Sequence, residues 1–385
     1  MAEDIKYQTL AQVRRAIDKK HPGALIQGSD LKNLVIPRIT TGSLSLDVMY
    51  GGGLPANQFN EIVGEFSSGK TSTVYKTIAA NQAIDPNWFV VWVASEPFVA
   101  SWAESAGCDL DRIEVIDNNI IEEAFPMLLE FVKNRLCDCV VIDSLPQMVP
   151  SDENDTGLDG WQMGLAARLN NKFFRVAGTS AKRSLVEDER KCTFLVINQF
   201  REKIGVTHGD NRTTPGGKGK DFAYFTKTEV RRKEWIEVDK VRVGVRIAAR
   251  TTKNKSAPPQ RAAEINFYFA DTPGFRAGDY DVADDLVNTA AFTEVVYRID
   301  GGTTYWFDGN KLGVGLPKTL SMVREDLGLQ REIRSRMLEV TASSYAPDIA
   351  PEVIEQIMPE PQSPKPKLVA TKVAAKKKLA VKRAS

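Results

Sequence analysis

Gly64-Glu65-Phe66-Ser67-Ser68-Gly69-Lys70-Thr71 fits G-x-x-x-x-G-K-[ST], the phosphate-binding P-loop. The flanking segments agree. Asn60-Glu61-Ile62-Val63 reads as a short buried strand, and the stretch Thr71–Ala83 as a helix. The end glycines let the backbone curl until its N–H groups face phosphate oxygens, and the helix adds its positive N-terminal end. A glycine-rich turn matching by chance would lack this strand–loop–helix context. Gly64, Glu65, Phe66, Ser67, Ser68, Gly69, Lys70, Thr71 and Ser72 are therefore the expected ATP-binding run. Lys70 is expected on the β- and γ-phosphates and the Thr71 hydroxyl on Mg²⁺.

Outward from this loop the chain alternates. Strands are expected at Phe59–Val63, Trp88–Ala94, Arg112–Ile116, Cys139–Ile142, Thr193–Ile197, Thr226–Arg232, Arg242–Ala249 and Ala263–Phe269. Helices are expected at Thr71–Ala83, Phe98–Ala106, Ile121–Arg135 and Gly164–Ala177. This spacing argues an α/β domain with a mostly parallel sheet flanked by helices, and the last three strands an antiparallel extension. Ahead of it, Leu10, Val13 and Ile17 fall at helical spacing within residues 7–19, and Ala24–Gln27 reads as an isolated strand. Such a segment has little core of its own and suits packing on a neighbouring subunit. Beyond Asp271-Thr272-Pro273-Gly274 a smaller α/β unit is expected. It has helices near Val282–Thr289, Leu316–Asp326 and Gln330–Glu339, and a hairpin around Tyr305–Lys311. The expected division is 1–34, an oligomerisation segment; 35–270, the ATPase core; 271–342, a small C-terminal domain; and 343–385, a disordered basic tail.

Composition bounds the partners. The formal net charge of the 385 residues is +1, but Pro361 to Ser385 holds seven Lys, one Arg and no acidic residue. That tail carries +8 and leaves −7 for the rest. A Pro- and Lys-rich end with no buriable pattern stays disordered and attracts polyanions by counterion release, or simply solubilises the chain. The acidic start Met1-Ala2-Glu3-Asp4 has no secretory pattern, and the longest apolar run, Phe89 to Ala94, is far too short for a bilayer. Cys108, Cys137, Cys139 and Cys192 lack zinc spacing. Cys137 and Cys139 are expected on one face of a strand. With two histidines in the chain, a histidine-based metal site is not expected. No membrane role is expected, and the location reads as cytoplasmic.

Other polar groups end strands at the P-loop edge. Cys139-Val140-Val141-Ile142-Asp143-Ser144 is an apolar strand delivering Asp143 toward Mg²⁺. Glu96, just past the strand ending at Ala94, can polarise an attacking water or stand as an ordinary surface carboxylate. Gln199 ends Val196-Ile197-Asn198 and can sense a γ-phosphate. Phe200 to Ala223 is then a long Gly-, Thr- and Lys-rich loop carrying Arg201, Lys203, Arg212, Lys218 and Lys220. It suits a phosphodiester backbone, or is merely solvated.

Several of these stretches together resemble bacterial RecA recombinase. They are residues 39–47 (Ile39-Thr40-Thr41-Gly42-Ser43-Leu44-Ser45-Leu46-Asp47), the P-loop, Met163-Gly164-Leu165-Ala166-Ala167-Arg168, Ile197-Asn198-Gln199, Lys203-Ile204-Gly205-Val206, Thr213-Thr214-Pro215-Gly216-Gly217 and Lys253-Asn254-Lys255-Ser256-Ala257-Pro258. The similarity runs in order from about residue 5 to about 315. It implies a RecA-like P-loop ATPase fold and an ATP- and Mg²⁺-dependent recombinase. Such a protein forms a homo-oligomeric helical filament on single-stranded DNA, searches double-stranded DNA and exchanges strands in repair after DNA damage, as in the SOS response. By the same resemblance Lys70, Thr71 and Asp143 bind ATP and metal, Trp102 replaces the tyrosine that stacks on adenine, and Glu96 is the general base. Gln199 couples ATP to DNA. Residues 152–162 look like a first DNA loop, with Met163, Arg168, Asn171, Lys172 and Arg175 beyond it. Arg201, Lys203, Gly216, Gly217, Lys218 and Lys220 belong to the second. Lys253 and Lys255 reach across to the neighbour's ATP.

The chain departs from that pattern in places. Ala94 stands where the family has Asp, His208 where it has an aromatic, and Asp221 where it has a lysine at the nucleotide interface. The tail is basic where relatives commonly end in acidic residues. A divergent, phage-type member fits these changes. The retained Lys70, Glu96, Asp143, Gln199, Lys253 and Lys255 favour an active enzyme over a paralogue-like accessory protein that binds ATP and DNA without turnover. The glycine-rich second loop and the helix-plus-strand start argue against a hexameric helicase.

Overall fold

The computed structural model describes residues 9–29, 36–152, 164–183, 190–202 and 212–345. In chain order the helices are α1 (Leu10–Lys20), α2 (Leu44–Tyr50), α3 (Lys70–Ile84), α4 (Ala100–Ser105), α5 (Ile121–Lys133), α6 (Leu165–Arg183), α7 (Lys218–Ala223), α8 (Val282–Phe292), α9 (Leu316–Glu325) and α10 (Leu327–Tyr345). The strands are β1 (Arg38–Ile39), β2 (Leu54–Pro55), β3 (Phe59–Gly64), β4 (Val90–Ala94), β5 (Ile113–Ile116), β6 (Cys139–Asp143), β7 (Thr193–Asn198), β8 (Arg201–Glu202), β9 (Arg212–Thr213), β10 (Thr226–Val238), β11 (Val241–Asn254), β12 (Ala262–Tyr268), β13 (Val296–Arg298), β14 (Thr304–Phe307) and β15 (Asn310–Val314).

Eight strands make the central sheet in the order β12-β11-β10-β3-β7-β6-β4-β5. β10, β3, β7, β6, β4 and β5 are parallel, while β11 and β12 add antiparallel at one edge. The apolar runs are buried on both faces, as a helix-covered parallel sheet requires. Side chains alternate between two cores. Trp92, Val141, Leu195 and Ile197 pack with Val74 and Ile78 of α3. Val91, Val93, Val140, Ile142, Phe194 and Val196 pack with Phe125 and Leu128 of α5 and Phe173 and Phe174 of α6. A third core joins α8, α9, α10 and the sheet β13-β14-β15, and it takes in Leu44 of α2. No helix among the described residues is long and apolar enough to cross a membrane.

Three expectations are corrected. Residues 24–27 form no strand: Leu25 and Ile26 are exposed, and no ladder partner lies beside them among the described residues. Cys137 and Cys139 do not share a face. β6 begins only at Cys139, so Cys137 precedes the alternation and joins the opposite core. There its sulfur lies 3.6 Å from that of Cys192. All four cysteines are buried and unbridged. The hairpin β10–β11 also runs well past the expected ends. Cross-strand neighbours such as Glu234 and Arg246, 3.2 Å apart, hold the distal end of β10, where Lys233 to Val238 show no strict apolar alternation to read. The hairpin turns through Asp239 and Lys240, both at positive φ, the geometry a two-residue hairpin loop demands. The short helix α2 went unread because seven residues carry too little period.

A buried carboxylate ties the C-terminal core to α2. Asp285 of α8, fully buried, accepts from the Ser43 hydroxyl at 3.0 Å and the Leu44 and Ser45 amides at 2.7 and 3.1 Å. It thus caps the free N–H groups that open α2. Asp285→Ala strands these donors in a dry interior and should lower unfolding free energy by about 2–4 kcal/mol in urea titration. A loss below about 0.5 kcal/mol would mean that water replaces the cap.

Candidate functional site

β3 is buried along its whole length and delivers the loop 64–69 to the carboxyl edge of the sheet. Two close approaches shape the loop. A Cβ at Gly64 would lie 2.1 Å from the Val230 carbonyl oxygen, and one at Gly69 2.5 Å from the Ile247 side chain. Gly69 caps α3 in the left-handed region at φ 94. Lys70, the first residue of α3, donates from Nζ to the Glu65 carbonyl at 2.7 Å and so lies folded back along the loop. Burial pushes its pKa down, opposed by Asp143, Glu96 and Glu65. The Ser68 hydroxyl is buried with no partner among the described residues, a donor left over for a phosphate oxygen.

Thr71 Oγ1 donates to Asp143 Oδ2 at 3.2 Å, so the two expected metal residues meet. Hydroxyl and carboxylate oxygens beside a triphosphate are the donor set of Mg²⁺, which completes its shell with water and phosphate. The residues present fit that ion. Burial first, and then the nearby Glu96 charge, push the Asp143 carboxyl up to about 6, against the pull of Thr71 and Lys70.

Glu96 sits against the same strand end. Its backbone N–H and that of Ser95 donate to the Asp143 carbonyl, both at 3.0 Å. Its Oε1 accepts from the Ser144 hydroxyl and, at 3.1 Å, from Gln199 Nε2. Two donors on one oxygen fix the plane of the carboxylate. The Gln199 backbone N–H in turn donates to Asn198 Oδ1 at 2.9 Å. The Asn198 amide nitrogen donates at 2.8 Å to Glu61, a fully buried carboxylate on β3. Ser144, Asn198 and Glu61 join the site through contacts between distant parts of the chain. An acidic residue inside an otherwise apolar strand beside a P-loop was the available signal for Glu61.

Trp102 stands 45% exposed on α4. On α6, Arg168, Lys172 and Arg175 are exposed at spacings of four and three, and so form one basic stripe. Asn171, four residues before Arg175, flanks that stripe and packs closely against α7. A Cβ on Gly219 would lie 2.3 Å from its Oδ1, and one on Gly217 would meet its amide at 3.6 Å. Arg201 is exposed on β8, which pairs with β9, so the second loop leaves and returns at one place. Gly216 and Gly217 turn at φ 98 and 82. Met163, Lys203, His208, most of residues 152–162 and the tail lie outside the described residues, as does the Lys218 side chain.

Lys220 departs from expectation. It is fully buried, with Nζ 2.6 Å from the Thr214 hydroxyl, 3.1 Å from Asp221 and 3.9 Å from Glu61, so it faces the interior rather than a nucleic acid. Lys253 and Lys255, at and just past the end of β11, donate to the carbonyls of Asp221 and Phe222 at 2.6 and 3.3 Å. Lys253 is six residues beyond Ile247, the contact of Gly69, which is about 20 Å along a strand. That distance is too great for it to serve the P-loop of its own chain.

A family model for the RecA N-terminal domain matches residues 8–273. Protein RecA of Thermus aquaticus is 31% identical over 341 residues, 88% of this chain and 95% of its own length. Protein RecA of Synechococcus elongatus is 30% identical over 335 residues, 86% of this chain and 88% of its own. Protein RecA of Rhodopirellula baltica is 32% identical over 332 residues, covering 86% and 83%.

The Asp143 carboxyl yields a pH test. Its ordinary value is 3.8 and its value in the fold about 6, so it is charged above pH 7 and largely neutral by pH 5. Only the charged form supports a cation, and cation binding releases the proton. The Mg²⁺ concentration needed for nucleotide binding should therefore rise as pH falls from 7.5 to 5.5, and Asp143→Asn should flatten that dependence. An unchanged slope in the variant would place the titrating group elsewhere.

Proposed function

The chain belongs to the RecA family of recombinases, and from that premise we propose that it is a cytoplasmic DNA-dependent ATPase. In this reading it assembles on single-stranded DNA as a helical filament of its own copies and exchanges strands with a homologous duplex in repair. The observation that carries the ATPase reading is the Glu96 carboxylate. It is clamped between Ser144 and Gln199 at the sheet edge that also holds Lys70, Thr71 and Asp143. An accessory protein that only binds ATP has no use for an oriented base.

Lys70 exchanges the Glu65 carbonyl for β- and γ-phosphate oxygens, which offset the burial of its ammonium. Thr71 and Asp143 would hold Mg²⁺, which would supply charge neutralisation on the transferred phosphoryl group. Glu96 takes a proton from the attacking water. Gln199 touches this carboxylate and stands at the root of the second loop, so a DNA-induced shift there reaches the base through a single side chain. The stripe Arg168, Lys172 and Arg175 supplies phosphate contacts, with Arg201 beside the loop. Lys253 and Lys255 complete the neighbour's site, so hydrolysis waits on assembly. α1 buries none of its residues within its own chain, which suits a segment that docks on another copy.

Three substitutions separate these roles. Lys70→Ala should abolish turnover stimulated by single-stranded DNA. Glu96→Gln should keep nucleotide and DNA binding while slowing hydrolysis by about 10²-fold or more, the scale of a lost general base. Lys253→Ala should depress DNA-dependent hydrolysis and leave the nucleotide affinity of the isolated subunit within about twofold, since it serves a neighbour. Full turnover in Glu96→Gln would overturn the assignment of the base, and an equal loss of subunit affinity in Lys253→Ala would place that lysine in its own chain's site.

A further inference from the structure

Four lysines and two carboxylates meet where β10, β11 and α7 converge. Glu61, fully buried, closes the inner side, with Lys220 Nζ at 3.9 Å and Lys227 Nζ at 3.2 Å. Asp221 closes the outer side. A single oxygen of it, Oδ1, takes both ammoniums, Lys227 at 2.7 Å and Lys220 at 3.1 Å. Its side chain is 42% exposed, whereas those of Lys220 and Lys227 are 1% and 21%. Lys253 and Lys255 have weaker company, since each is held by a backbone carbonyl of α7 rather than by a carboxylate. Burial, then the charges of Lys255 and Lys227, push the Lys253 ammonium down. The group therefore carries more ammonium than carboxylate charge and gains by meeting an anion. Phe222, next in sequence, stands 81% exposed, a large apolar side chain beside a charged surface.

We propose that Asp221 is an internal stand-in for a phosphate: in the lone subunit it partly neutralises the lysine patch that receives a neighbouring copy's polyphosphate, and it sets the charge an incoming anion needs to displace it. This rests on the reading that Lys253 and Lys255 act on the neighbour's nucleotide. A carboxylate with one negative charge yields to a triphosphate but competes better against a diphosphate, because the contest is electrostatic in a partly dry site. Asp221 is thus a specificity-determining residue that widens the preference of the assembly for ATP over ADP. A lysine at this position, as the family pattern has, adds attraction instead and provides no such threshold.

The test is assembly of the full chain on single-stranded DNA, followed by light scattering while either a non-hydrolysable ATP analogue or ADP is titrated. Asp221→Asn should lower the concentration of both needed for half-maximal assembly, and ADP more, so that the ADP-to-ATP-analogue ratio falls at least about threefold. Asp221→Asn also removes the nearest counter-charge of buried Lys220, so the double variant Lys220→Leu with Asp221→Asn removes that ammonium too. The fall in the ratio in either variant supports the proposal, including the case in which only the double variant recovers it. An unchanged or raised ratio in both overturns it. Lys253→Ala is run beside them. If it assembles as the parent does while the ratio is unmoved, the reading of the lysines fails and the inference with it. If Lys253→Ala is defective and the ratio is unmoved, only the role of Asp221 is lost.

Discussion

Two backbones that touch where no side chain fits determine the geometry of the site. Gly64 ends β3 so close to the Val230 carbonyl that even a methyl group would collide, and Gly69 lies against the Ile247 side chain. β10 and β11 therefore press on both ends of the P-loop, and the loop has one path between them. That path starts α3 at Lys70, places Thr71 against Asp143, and leaves the Ser68 hydroxyl buried without a partner among the described residues. The register of β3 with β10 is then also set, which puts Lys227 beside Glu61.

From that register a polar chain runs through an otherwise apolar domain. It begins at Ser144 and Glu96, passes Gln199 and Asn198 to Glu61, and continues through Lys227 to Asp221. Buried charges are tolerated only in company, since an unpartnered one costs several kcal/mol, of order 3–5 when a buried pair is broken. Each member thus constrains the next. A sheet edge that handles phosphate and a surface that carries lysines become parts of one electrostatic unit, although the residues come from three strands, three turns that follow strands and a short helix.

The strand–helix alternation was legible wherever period and composition agreed. β4, β6 and β7 are largely apolar, and α5 carries a clear apolar face, so their ends fell within about two residues of expectation, whereas α6 runs on from the expected Ala177 to Arg183. Reading failed where local signal and tertiary demand parted. The distal end of β10, Lys233 to Val238, lacks a strict apolar alternation and is strand because it pairs with β11. Leu25 and Ile26 look like strand residues, yet nothing pairs with them among the described residues. Cys137 obeys an alternation that starts two residues too late to include it.

For the site, the division has a physical cause. Sequence alone determined the chemistry that depends on neighbours in the chain: the glycines, Lys70 and Thr71 of one loop, and the carboxylates and amide that end apolar strands. Such spacing fixes what a backbone turn or a strand end can present. Tertiary structure alone decided which of these groups meet. Glu96 acquires its two donors, Lys220 is drawn inward, and Asp221 gathers lysines from α7 and β10 while its carbonyl holds one from β11, because contacts between residues far apart in the chain follow from packing and from the cost of leaving charge unpaired.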